Sequence, residues 1–132
     1  MILVDSSVLI AYFRGDENDS VRRMEEILEA GLPFGISPLA FAEVLQGAAD
    51  EEDFRLLVEY LGSQRFYDLK NGPASYRAAA RMYFDLRRKG LAVSSTIDCL
   101  IAQTAIDHGL HLLHNDADYD RIAALFPLKI WS

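Results

Sequence analysis

The apolar positions of the chain fall into short unbroken runs alternating with longer stretches of helical spacing. Ile2-Leu3-Val4 is such a run. It breaks on Asp5-Ser6-Ser7, which predicts a short buried strand ending at Asp5. Val8–Phe13 predicts a short helix stopped by Arg14-Gly15, and residues 16–20 are polar and turn-like. Val21–Ala30 places Val21, Met24, Ile27 and Leu28 on one helical face, with Gly31 in the usual terminating position. Leu32–Ile36 predicts a second strand. Ser37-Pro38 reads as the N-cap and first residue of a third helix, Pro38–Gln46. Leu39, Ala40, Phe41, Ala42, Val44 and Leu45 make that helix apolar nearly all round, so it is expected to be largely buried, with Glu43 in its middle.

Further along, Ala49–Leu61 predicts a fourth helix whose early acids, residues 50–53, suit the helix dipole. Phe54, Leu56, Leu57 and Leu61 are its expected packing face. Phe66–Leu69 reads as a weak strand or connector. A fifth helix opens at Pro73 and ends at Lys89-Gly90, with Tyr76, Ala79, Ala80, Tyr83, Phe84 and Leu86 as its apolar side. Residues 94–96 cap a sixth helix, Ile97–His108, closed by Gly109. Leu110–His114 is the next strand, and it breaks into Asn115-Asp116-Ala117-Asp118-Tyr119-Asp120. A short helix around Ile122 and a final strand, Leu128–Trp131, complete the chain. Alternating strands and helices predict an α/β architecture with a mostly parallel sheet.

Composition narrows the class. A chain of 132 residues, half of them apolar and a quarter charged, is expected to form one domain over residues 1–132 with a real core. No apolar run is long enough to span a bilayer, the start lacks the features of a signal peptide, and the lone Cys99 has no partner for an internal disulfide. A reducing cytoplasm is therefore the expected location. The net charge of −7 argues against a general nucleic-acid binder. The exception is the fifth helix, where Arg77, Arg81, Arg87, Arg88 and Lys89 gather. Arg81 and Arg87 are candidate substrate contacts through phosphate, against the plainer reading of cations that favour a helix C-terminus.

The acids carry the chemical signal. Asp5, Glu43, Asp98 and the pair Asp116/Asp118 each lie at the carboxyl end of a predicted strand or in a helix just after one, within apolar sequence. In a right-handed parallel sheet those ends share one edge, where ligands bind. Asp5 can equally cap the helix it precedes, and Asp98 can be a first-turn acid favoured by the dipole. If the carboxylates converge, their repulsion calls for a cation, and hard oxygen donors suit Mg²⁺ or Mn²⁺. Such a site performs phosphoryl transfer or phosphodiester cleavage. His108, His111 and His114 recur every three residues, but the step crosses Gly109 from helix into strand, so they are expected to be structural.

Four motifs in order carry a resemblance: Ile2-Leu3-Val4-Asp5-Ser6-Ser7-Val8-Leu9-Ile10, residues 37–47 from Ser37-Pro38 through Glu43 to Gly47, residues 95–102 around Asp98, and residues 113–122 around Asp116 and Asp118. Together they make the chain similar to PIN-domain ribonucleases of the VapC type, the toxins of toxin–antitoxin pairs. The resemblance implies a three-layer α/β/α fold around a parallel sheet and Mg²⁺- or Mn²⁺-dependent cleavage of RNA. It also implies a homodimer and a small cognate antitoxin. Asp5, Glu43, Asp98 and Asp116 fall on the family's acidic quartet, Asp118 on a further acid of some members, and Ser6 on the hydroxyl residue beside the first Asp. The metal contacts are expected from Asp5, Asp98, Asp116 and Asp118, the closest from Asp5 and Asp98. A metal-activated water then needs no Ser or His nucleophile.

Two other enzyme classes share the opening strand and Asp. A haloacid-dehalogenase-type phosphatase needs a second Asp where Ser7 stands, and a response-regulator receiver needs an acidic pair where only Asp5 is present. The non-enzymatic alternative is a PIN-like module that binds RNA or protein without cutting.

Overall fold

The computed structural model describes residues 1–132 as five strands and seven helices. The strands are β1 (Ile2–Val4), β2 (Phe34–Ile36), β3 (Arg65–Phe66), β4 (His111–Leu113) and β5 (Lys129–Ile130). The helices are α1 (Ser6–Arg14), α2 (Asp19–Ala30), α3 (Pro38–Gln46), α4 (Glu51–Gly62), α5 (Pro73–Arg88), α6 (Thr96–His108) and α7 (Ala117–Leu125). All the strands pair in parallel, in the order β3-β2-β1-β4-β5. The order reverses between β1 and β4, which creates a switch point beyond the carboxyl ends of those two strands.

Alternation along the strands builds two cores. Leu3 and Leu112 face a layer made of α5, α6 and α7, in a cluster with Met82, Leu86, Cys99, Ile101 and Tyr119. Ile2, Val4 and Leu113 face the opposite layer with Leu9, Met24, Ile27, Val44 and Leu61 from α1 to α4. The result is the expected three-layer α/β/α arrangement. Gly35 in β2 is required by packing: a Cβ there would run into the Tyr67 ring and the Arg65 carbonyl. The Tyr67 ring lies across the strand instead.

Local signals set most boundaries. Asp5, Asn18, Ser37, Asp50, Ser95 and Asp116 cap six of the helices through side-chain oxygens that accept backbone N–H bonds. Capping starts α1 at Ser6 rather than Val8, and α4 at Glu51 rather than Ala49. Helix faces diverge further from expectation. In α3 only Ala40 and Val44 are buried. In α4 the inward residues are Leu57 and Leu61, while Phe54 and Leu56 stand exposed. In α5 the inward stripe is Ser75, Ala79, Met82 and Leu86, and Tyr76, Ala80 and Phe84 point to solvent. With strands of only two or three residues, the sheet is too small to cover every apolar position of its helices, so their outer apolar residues remain uncovered.

Candidate active site

Asp5 ends β1 and starts α1, and it serves both roles open to it. Its Oδ2 accepts the Ser7 N–H at 3.0 Å and the Ser7 hydroxyl at 2.6 Å, which caps α1. Its Oδ1 accepts the Tyr119 hydroxyl at 2.8 Å from α7. The carboxylate is only 4% exposed and bonded on both oxygens. Ser7 Oγ in turn accepts the Asn115 N–H at 3.0 Å, which ties the loop after β4 to the loop after β1.

Asp98 arrives by a different route from the one expected. No strand precedes α6, since α5 connects to it directly through residues 89–95. But α6 leads into β4, and a helix feeding a parallel strand runs back across the sheet. Its first turn therefore lies over the carboxyl ends of β1 and β4. The Tyr119 hydroxyl also lies 3.4 Å from Asp98 Oδ1, so one buried phenol stands between the carboxylates of Asp5 and Asp98.

Asp116 caps α7 through Oδ1, which accepts the Asp118 N–H at 3.0 Å; Oδ2 has no protein donor. Asp118 is held more firmly. Its Oδ2 accepts the Ser94 N–H at 2.9 Å and the Ser94 hydroxyl at 2.6 Å, and its Oδ1 accepts Arg121 Nη1 at 2.5 Å. One oxygen from each of Asp98, Asp116 and Asp118 falls within 4.8 Å of the others. Asp5 adjoins this trio through Tyr119. Glu43 stands on α3, where its Oε1 accepts the Ser6 hydroxyl at 3.2 Å.

The electrostatics follow from this crowding. Burial first, then the neighbouring charges of Asp116, Asp5 and Asp118, push the Asp98 carboxyl up to about 7. Glu43 is also raised, chiefly by burial and with a contribution from Asp5, against the opposing Ser6 hydrogen bond. Burial alone would raise Asp118 too, but the Ser94 donors and Arg121 hold it below the ordinary carboxylate range. The Tyr119 hydroxyl is pushed far upward by burial and by Asp5 and Asp98, so it remains a proton donor to both. Arg121 is the single cation paired with these acids, and it engages only Asp118.

The site thus holds an excess of negative oxygen donors, three of them mutually close. That donor set fits a hard divalent cation, with six to eight oxygens for a larger ion or near-octahedral geometry for a smaller one. The histidines do not compete for it. His108 Nε2 contacts the Asp68 carbonyl, His111 packs edge-on against Trp131, and His114 Nδ1 accepts the Asp116 N–H while the ring lies against Tyr119. They point three ways, as expected for structural residues. Arg81 pairs with Asp85 on the outer side of α5, and Arg87 lies near Phe84. Neither contacts the acids.

Tyr119, Ser7, Ser94 and Arg121 were not singled out as site residues from sequence. Ser7 and Ser94 each flank a motif acid or its helix cap. In sequence Tyr119 is one aromatic residue at the start of a short helix, with nothing local to show where its hydroxyl goes. Only the fold shows its hydroxyl bridging two acids that are ninety-three residues apart in the chain.

A parallel α/β/α sheet whose carboxyl edge gathers five acids at a switch point defines a class of metal-dependent nucleases and phosphatases. Sequence comparison resolves it. The family model described as PIN domain matches residues 2–125, and the chain belongs to that family. Ribonuclease VapC11 of Mycobacterium tuberculosis is 35% identical over 131 residues, covering 98% of this chain and 96% of that protein. Among solved structures, DNA-bound VapBC from Salmonella typhimurium superposes with a TM-score of 0.76 at 20% identity, covering 98% of this chain and 96% of that one. VapBC2 from Rickettsia felis, bound to a fragment of promoter DNA, gives 0.73 at 22% identity with both chains fully covered.

Proposed function

We propose that the protein is an endoribonuclease, the toxin of a VapBC-type pair, with residues 1–132 forming one PIN domain that hydrolyses RNA phosphodiesters. The observation that carries this reading is the trio Asp98, Asp116 and Asp118, close together and short of positive charge, in a chain with full-length likeness to VapC ribonucleases. Asp5, Asp98 and Asp116 are the residues that would hold the ion. Asp116 is favoured over Asp118 as a direct contact because its Oδ2 is free and no cation pairs with it, whereas Arg121 already offsets the Asp118 charge; Asp5 is bonded only by the neutral donors of Ser7 and Tyr119. When bound, Mg²⁺ or Mn²⁺ supplies charge for the scissile phosphate and lowers the pKa of the attacking water.

The protein's own part is positional. Tyr119 and Ser7 fix the Asp5 carboxylate, and the Asp118 carboxylate ties the start of α7 to Ser94 in the segment that leads to Asp98, while its backbone N–H holds Asp116 Oδ1. Glu43, oriented by Ser6, borders the site with a raised affinity for protons, which suits a group that accepts one from the attacking water. Ser6 is a candidate substrate contact through the same hydroxyl. A cytoplasmic location follows from this role, and no helix is long and apolar enough to cross a membrane. The cognate antitoxin would cover a groove of about 340 Å³ lined by Ile10, Phe13, Val44 and Leu57, where Ile10 and Phe13 of α1 stand exposed above the buried Val44 and Leu57. A homodimer is the expected form of the toxin.

The test is cleavage of cellular RNA by the purified protein. Activity should appear with Mg²⁺ or Mn²⁺, stop in EDTA, and disappear in Asp98→Asn. Cutting that persists in EDTA would exclude the metal mechanism. An inactive parent would favour a binding module that has kept the acids but lost turnover. A neighbouring gene product that co-purifies and suppresses cleavage would establish the antitoxin.

A further inference from the structure

The outer face of α5 is built like a stacking surface. Ser75, Ala79, Met82 and Leu86 form the buried stripe of the helix, and helical periodicity places Phe84 on the opposite side, 38% exposed. Around that ring lie three guanidinium groups: Arg81 at 5.5 Å, Arg88 at 5.4 Å and Arg87 at 5.8 Å from its centroid. Other rings on this chain are as exposed, Phe13, Phe54 and Tyr76 among them, but only Phe84 has three guanidinium groups around it. A shallow groove of about 660 Å³ runs along the same face, lined by Ala74, Arg77, Ala78, Ala80, Arg81 and Phe84. Small alanines leave its floor open.

Charge shows what this face attracts. The chain carries −7 overall, yet residues 73–89 hold Arg77, Arg81, Arg87, Arg88 and Lys89 against the single acid Asp85. Asp85 pairs with Arg81, while Arg77, Arg87, Arg88 and Lys89 make no ion pair within the chain. Uncommitted cations beside an acidic centre serve a polyanion that must approach it. The last turn of α5 connects through residues 89–95 to Ser94, which holds Asp118, and to Asp98 in the first turn of α6. The basic face therefore leads toward the acidic edge.

We propose that Phe84, framed by Arg81, Arg87 and Arg88, is a platform on which a base of single-stranded RNA stacks while the arginines hold the flanking phosphates. The platform rests on the ribonuclease reading for the identity of its ligand and would give that enzyme a preference for unpaired RNA. Every base has a π-face, so one aromatic ring grips the strand without regard to sequence. A base inside a duplex is already stacked and cannot use it.

Binding of a short unstructured RNA of mixed sequence is measured by fluorescence anisotropy in EDTA, at several salt concentrations. Phe84→Ala is expected to weaken binding about ten-fold, within the range for one stacked base. Phe84→Tyr keeps a ring and should bind like the parent. Arg87→Gln combined with Arg88→Gln should weaken binding and reduce the salt slope by about 0.7 for each phosphate left without its arginine. A blunt RNA duplex should be sensitive to the arginine changes and indifferent to Phe84→Ala. These residues are exposed, so melting temperatures should stay near the parent's; should Phe84→Ala unfold, the arginine pair and Phe84→Tyr still decide the matter. Unchanged RNA affinity in both Phe84→Ala and the arginine pair overturns the platform. So does unchanged RNA affinity accompanied by loss of a dimer or of a co-purifying protein, which would make the face a protein interface. Cleavage with Mn²⁺ is scored separately. A parent that binds RNA through Phe84 but cuts none sinks the ribonuclease reading and leaves the platform standing. A parent that cuts RNA while Phe84→Ala and the arginine pair bind and cut equally well does the reverse.

Discussion

Replacing Asp98 by Asn should stabilise the metal-free protein at alkaline pH and weaken it once metal is supplied. In the fold, burial and the charges of Asp116, Asp5 and Asp118 push the Asp98 carboxyl up to about 7, against an ordinary value of 3.8. A group whose pKa rises on folding contributes stability that is fully present below the unfolded value and lost as pH climbs through the folded one. The window is therefore about pH 4 to about pH 7. In full, that gap corresponds to about 4 kcal/mol at 1.36 kcal/mol per pH unit. Asp98 is only half-buried, so solvent screening reduces the realised penalty to about 2 kcal/mol. Asparagine keeps the shape and the Oδ1 acceptor facing Tyr119 but carries no charge. At pH 8 in EDTA, Asp98→Asn should exceed the parent by about 2 kcal/mol, a rise in melting temperature of about 6 °C for a chain of this size. At pH 4.5 the difference should shrink to a fraction of that.

Metal reverses the order. A ligand that binds only the folded form adds RT ln(1 + [L]/Kd), about 2.7 kcal/mol at one hundred times Kd, and the variant should gain much less. The assay is urea or thermal unfolding of both proteins at the two pH values, with EDTA and with Mn²⁺. Asp98 is coupled to Asp116, Asp5 and Asp118, so the difference between the two proteins reports the crowded group as a whole and not Asp98 in isolation. If Asp98 is only a dipole-favoured acid of the first turn, substitution costs roughly 0.5–1 kcal/mol whatever the metal. A metal-independent loss of that kind would refute the crowding of these carboxylates.

Tyr119→Phe should cost about 1–3 kcal/mol in metal-free unfolding, because it leaves the buried Asp5 Oδ1 without its donor; unchanged stability together with unchanged cleavage would deny Tyr119 its positioning role. Ser94→Ala should lose about 1 kcal/mol near neutral pH by removing the hydroxyl bond to Asp118. Asp118 is held below its ordinary value, so this loss belongs above about pH 4 and should fade as pH falls through the folded pKa; a loss constant down to pH 2 would contradict it. Gly35→Ala should destabilise by about 1–3 kcal/mol through collision with the Tyr67 ring, and a variant as stable as the parent would show that the ring moves freely.

Sequence alone was informative wherever a signal is local. The run Ile2-Leu3-Val4 broken at Asp5, the Ser37-Pro38 helix start and the terminating glycines Gly31 and Gly109 are each read within a few residues, and each stands in the structure as expected. Asp116 and Asp118 follow β4, so the parallel-sheet rule places them at the carboxyl edge, whereas Asp98 reaches that edge without a preceding strand, because α6 runs back across the sheet into β4. What could not be read were relations between side chains on separate elements. Phe84 and Leu86 are both apolar residues of one helix, yet one faces solvent and the other the core. Composition of a window does not distinguish them when apolar residues outnumber the positions the small sheet can cover.

Tyr119 shows the same limit within the site. A tyrosine in a short helix has a ring that packs and a hydroxyl that needs a partner, and sequence specifies only the first of these. Here the ring joins the core beneath α5 and α6, and the hydroxyl reaches Asp5. Together with the two Ser7 bonds on Oδ2, that donor leaves neither oxygen of an almost fully buried carboxylate unsatisfied beside Asp98, without a neighbouring cation. The arrangement divides the acids by support. Asp5 and Asp118 are bonded on both oxygens, whereas Asp98 and Asp116 each keep capacity that the protein does not satisfy. An ion entering the edge gains most from the under-supported pair, while the supported pair holds the surrounding loops in place before it arrives. The crowding that costs stability without metal falls most heavily on Asp98, the acid whose charge a bound ion would offset.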